Sequence, residues 1–96
     1  MTKKEIHIKS VMKKEGWEFQ PGHIMLSFSK CYWKKVEPRK RKTYVHVIVY
    51  INAAENKAFA TFFTEFTFKT PAELEKYYIV YNRVVGLMKE LGIKLV

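Results

Sequence analysis

The chain of 96 residues contains no aspartate, one cysteine, four glycines and three prolines, and each shortage removes a class of protein. A lone Cys31 forms no intramolecular disulfide and supplies too little sulfur for a Cys-rich zinc cluster, so a reducing, cytoplasmic setting is expected. With no aspartate and the glutamates scattered without a paired spacing, the usual acid-base and metal arrangements are missing. Gly16, Gly22, Gly86 and Gly92 are isolated, which excludes a phosphate-cradling glycine-rich loop. No apolar run approaches the roughly 20 residues of a membrane-spanning helix, and the N-terminus lacks the apolar stretch of a signal peptide. Neither a cofactor nor a membrane partner is expected.

Cations and aromatic rings are abundant. Hydrophobic residues make up 48% of the chain and aromatics 16%, enough for one packed core, and the length fits a single compact domain spanning 1–96. Eighteen Lys and Arg stand against nine Glu, a net charge of +9, and an excess of that size attracts anions. The charge is uneven. Residues 1–42 hold twelve cations and four Glu, or +8, whereas residues 43–96 hold six and five, or +1. Within the first part, Lys13 and Lys14 close one cluster. Lys30, Lys34, Lys35, Arg39, Lys40, Arg41 and Lys42 form a denser one, broken only by Glu37. Folding alone does not require that much self-repulsion.

Thr2-Lys3-Lys4-Glu5 fits a capping box, in which the Thr hydroxyl and the Glu carboxylate satisfy the first N–H groups of a helix. A short helix is predicted from Lys3 to Glu15, ended by Gly16. Trp17-Glu18-Phe19 alternates and stops at Pro21-Gly22, a turn dipeptide; residues 23–34, 43–52 and 57–69 read as three further strands. Thr70-Pro71-Ala72-Glu73 predicts the start of a long helix that runs to about Leu91 and ends at Gly92. The expected fold is α+β: an antiparallel four-stranded β-meander packed by the long C-terminal helix, with a short N-terminal helix, in the order αββββα. The long helix carries two apolar stripes, which predicts contact with two surfaces and a homodimer, and mid-helix Gly86 is read as a place of close backbone approach.

A strand register can be tested by whether it keeps like residues on one face. Pairing Trp33 with Tyr44 places Cys31 opposite His46, Ser29 opposite Ile48 and Ser27 opposite Tyr50. The next strand then brings Phe59 beside Tyr50 and Phe63 beside His46. That face is aromatic and polar. The other collects Leu26, Phe28, Tyr32, Val45, Val47, Val49, Ile51, Ala58 and Ala60, a natural bed for the C-terminal helix, and also Lys30, which must reach an edge.

Cys31 opposite His46 is the single nucleophile–base arrangement, and His7, His23 and His46 lack metal-ligand spacing. No enzyme is expected. The residues point instead to a small basic protein binding DNA or RNA through phosphates with little sequence specificity. Lys30, Lys34, Lys35, Arg39, Lys40, Arg41 and Lys42, with Lys13 and Lys14, are the expected phosphate contacts; Trp33 and Tyr44 are candidates to stack bases. The alternative is a protein-binding module, such as a viral or mobile-element factor, which docks a basic surface on an acidic partner and uses the aromatic face to dimerise.

Overall fold

A computed structural model describes residues 1–32, 45–64 and 71–96. Helix α1 spans Lys3–Lys14 and is followed by strands β1 (Glu18–Gln20), β2 (Leu26–Tyr32), β3 (Val45–Asn52) and β4 (Lys57–Thr64), helix α2 (Pro71–Glu90) and strand β5 (Lys94–Leu95). One sheet of order β1-β2-β3-β4-β5 results, antiparallel except for the parallel β4–β5 pair. The architecture is α+β with five strands, so the expected four-stranded meander lacks one edge. The predicted strand residues 33–34, 43–44 and 65–69, and the helix cap at Thr70, lie outside the described residues.

The fifth strand follows from the way both helices end. Gly16 and Gly92 take positive φ, 87° and 70°. Each amide bonds back to a helix carbonyl, Gly16 N–H to Lys13 and Gly92 N–H to Lys89, both at 3.0 Å. The amide of the next residue reaches one residue further back, Trp17 N–H to the Met12 carbonyl and Ile93 N–H to that of Met88, both at 2.9 Å. This is the Schellman closure, with its apolar residue folded under the helix: Trp17 and Ile93 are both buried. Each closure turns the chain into a strand at one edge of the sheet, β1 after α1 and β5 after α2. At the other end of α1, Thr2 and Glu5 form the predicted capping box.

Register and face assignment match the alternation in the sequence. Cys31 lies opposite His46, Ser29 opposite Ile48 and Ser27 opposite Tyr50; Phe59 lies beside Tyr50 and Phe63 beside His46. Two boundaries differ. The second strand starts at Leu26, because Pro21 and Gly22, the latter at φ 93°, open a loop over 21–25 that leaves Ile24 exposed. The first strand is displaced by one residue, since the amide of Trp17 is used by the helix end.

The core sits on one side of the sheet. Val45, Val47, Val49 and Ile51 have no exposed area and pack with Phe28, with Ile8 and Met12 of α1, and with Val80, Val84, Leu87 and Met88 of α2. Burying a side chain such as Phe28 contributes about 1.5–3 kcal/mol. Only one of the two α2 stripes is covered throughout, because Leu74, Tyr78 and Tyr81 stay exposed among the described residues. Tyr77 and Tyr81 instead join Phe62 of β4 in a ring cluster, with centroids 5.5 and 5.8 Å from Phe62. Burial and the adjoining Tyr81 and Tyr78 phenols push the Tyr77 phenol above its usual range. Gly86 is exposed, and a Cβ there would meet no described atom outside its own helix backbone within 4 Å, so no close approach among the described residues explains it.

Candidate nucleic-acid interface

Since both helices deposit their buried residues on the aliphatic face, no described helix covers the other one. That face is built in cross-strand rows. Cys31, His46 and Phe63 form one row; Ser29, Ile48 and Thr61 the next; Ser27, Tyr50 and Phe59 the third. The two outer rows end in rings. Tyr50 and Phe59 stack at 4.9 Å with planes 26° apart, and the His23 ring meets Tyr50 edge-on at 5.6 Å. His46 and Phe63 lie 6.1 Å apart, tilted by 43°. Phe59 and Phe63 nevertheless remain 43% and 50% exposed, so each ring offers surface that its protein neighbour does not use.

Polar groups hold the floor of this face in place. Gln20 Nε2 donates to Ser29 Oγ at 3.0 Å, tying β1 to β2. Ser27, the one buried polar residue among those described, sits between Gln20 and Tyr50 in its row. Among the described strand residues of this face the charged ones are Glu18 on β1 at one edge and Lys57 with Lys94 on β4 and β5 at the other. Lys57 and Lys94 are exposed register partners, and like charges directly opposite one another repel. A third lysine arrives from α1, as the Lys4 ammonium donates to Asn56 Oδ1 at the turn before β4.

The cations expected from the sequence fall into three groups. Lys34, Lys35, Arg39, Lys40, Arg41 and Lys42, together with Trp33 and Tyr44, lie outside the described residues. The described chain leaves β2 at Tyr32 and resumes in β3 at Val45, which are register partners, next to the Cys31–His46–Phe63 row. Lys13 and Lys14 are exposed in the last turn of α1; Lys13 lines a groove of about 840 Å³ between α1 and β1 whose floor includes Trp17, Phe19 and Phe28. Lys9 reaches into the same groove, its ammonium 4.1 Å from the Phe19 ring centre.

Lys30 is held elsewhere. As the register required, it lies on the core side and reaches the edge, where its Nζ donates to the Glu15 carbonyl at 2.6 Å and lies 4.7 Å from the centre of the Tyr32 ring. A cation there satisfies the end of α1 and complements its dipole. Tyr32 packs edge-on against Trp17 at 6.3 Å. Burial raises its phenol pKa; Arg83 opposes that rise and Glu15 adds to it.

Sequence reasoning missed Lys57 and Lys94. The first was within reach, because Lys57, Phe59, Thr61 and Phe63 share a two-residue period. Nothing local marked Lys94, which joins this face only through the parallel pairing of β5. Cys31 is exposed and faces His46 across the β2–β3 pair, and no cluster of metal-ligating side chains exists among the described residues. No described helix is long and apolar enough to cross a membrane. No protein-family model matches the chain, and no curated protein or solved structure matches it.

Proposed function

We propose that this chain binds nucleic acid, chiefly through phosphates and with little sequence specificity. The observation that carries the reading is a sheet face that no described helix covers, bearing Tyr50, Phe59, His46 and Phe63, in a chain whose segment 33–44, between β2 and β3, contains six of its eighteen cations. Exposed rings provide π-surfaces that any base can use, and flanking Lys and Arg release counterions from the backbone. Cations that contact phosphate read no sequence.

Salt-titrated binding of labelled DNA and RNA tests this directly. The expected result is affinity that falls steeply with salt for every sequence, and absence of binding at about 50 mM salt overturns the reading. Replacing Lys40, Arg41 and Lys42 by Ala weakens binding about equally across sequences and lowers the slope by about one for each phosphate that is no longer neutralised. A second reading, a protein-binding or self-associating module, draws on the exposed Leu74, Tyr78, Ile79 and Tyr81 of α2. Mass measurement in solution and binding to an acidic peptide test it, and a monomer that ignores such peptides at low salt removes it.

A further inference from the structure

Resting on the nucleic-acid reading, we infer that one file of side chains on β4, Lys57-Phe59-Thr61-Phe63, with Lys94 beside Lys57, is a track for an extended single strand. All four residues point to the open face, since each pairs with a β3 residue of that face, Asn52, Tyr50, Ile48 and His46 in turn. Each ring has one protein ring against it and exposed surface left over. A base arriving there lengthens the existing Tyr50–Phe59 stack in one row and packs on the exposed part of Phe63, whose ring is tilted against His46, in another. Between the rings the exposed Thr61 hydroxyl faces the intervening nucleotide.

The availability of base faces selects the form of the nucleic acid. Phe59 and Phe63 are four residues apart on a strand, about 13 Å, and consecutive rows of the file are about 6.7 Å apart. A duplex strand advances about 3.4 Å per base, so every second stacked base falls near a row and the spacing is met by a duplex as well. However, both faces of every base inside a duplex are already covered, and a protein ring gains no stacking surface without pulling a base out. An unstacked single strand has free base faces and can extend to follow the rows.

Charge complementarity marks one end. Lys57 and Lys94 stand side by side at the start of the file, where their mutual repulsion is relieved by an anion such as a backbone phosphate. The occupant that meets paired cations at one end of the file and exposed rings along it is a polyanion carrying flat apolar groups at intervals. Lysines on edge strands also serve to prevent edge-to-edge pairing, and the test separates that role from phosphate binding.

The experiment is fluorescence anisotropy at low salt with labelled oligothymidylate of about twelve nucleotides, alone and annealed to its complement. It uses the wild-type chain, Phe59→Ala/Phe63→Ala, Phe59→Trp/Phe63→Trp and Lys57→Ala/Lys94→Ala. Both aromatic positions are exposed, and a thermal melt verifies that each variant is folded. The alanine pair is expected to weaken single-strand binding roughly five- to a hundredfold for each ring while duplex binding is unchanged, and the tryptophan pair to retain single-strand affinity. The lysine variant is expected to weaken binding and flatten its salt dependence. Unchanged single-strand affinity in the alanine pair overturns the track and leaves phosphate binding intact. Unchanged affinity with new self-association in the lysine variant makes Lys57 and Lys94 edge guards and overturns the phosphate end. Conversion of a dimer to a monomer by the alanine pair at unchanged affinity makes the face an interface between copies and also overturns the track. Failure of the wild-type chain to bind any oligonucleotide at about 50 mM salt overturns the nucleic-acid reading itself.

Discussion

The two faces of the sheet are made by the same strands and share a backbone, yet their chemistry is opposite. One carries four β-branched side chains of β3 with no exposure, closed over by both helices; the other carries Phe59 and Phe63 about half exposed. The contrast teaches that burial here follows helix placement rather than hydrophobicity alone. Phenylalanines occupy both faces, but among those described only Phe28, on the helix side, is buried.

The largest expected effect comes from emptying the covered face. Phe28→Ala leaves a cavity between sheet and helices and is expected to cost about 3–5 kcal/mol in denaturant unfolding, a large part of the stability of a domain this size. Next is the seam between α1 and the sheet edge. Lys30→Ala removes the ammonium from the Glu15 carbonyl, with an expected loss of about 1–2 kcal/mol on the same measurement and no change in oligonucleotide affinity. A loss of affinity without loss of stability would move Lys30 from the scaffold to the binding surface.

Smaller effects follow at exposed positions. Gly86→Ala is expected to stabilise by about 0.5–1 kcal/mol, because a methyl group there meets no described atom outside its own helix backbone within 4 Å and the helix interior favours Ala; destabilisation would reveal a partner on that side of α2. Phe59→Ala loses one cross-strand ring pair with Tyr50 and is expected to cost only about 0.2–1 kcal/mol. Set against Phe28→Ala, the same chemical change on opposite faces differs severalfold, and comparable losses would erase the distinction between scaffold and surface.

Much of this was legible in the residues. The capping box at Thr2, the Gly stops after both helices, the strand pairing and the division of side chains between faces all follow from local spacing. Register was readable because slipping β2 by one residue would set Phe28 among Tyr50 and Phe59, so that neither face stayed uniformly apolar. The fifth strand was not readable. Only four residues follow Gly92, too few to show a period, and they become a strand because Ile93 tucks under α2 and aims the chain along β4. Lys94 N–H then donates to the Asn56 carbonyl and Val96 N–H to that of Ala58, both at 2.8 Å. The candidate site was legible to the same degree: its rings and Lys57 were visible as alternation, whereas the capture of Lys30 by Glu15 depended on an interaction between residues 15 apart.

By itself the sequence determined the two helices and the first four strands, the aromatic and aliphatic character of the two sheet faces and the concentration of +8 in the first 42 residues, since periodicity and charge are properties of neighbours along the chain. Tertiary structure decided that α1 joins α2 on the aliphatic face, and therefore that no described helix shields the rings. It also set Lys94 against Lys57. Those outcomes depend on where each helix end directs the chain that follows, and on which long-range contacts bury the most apolar surface.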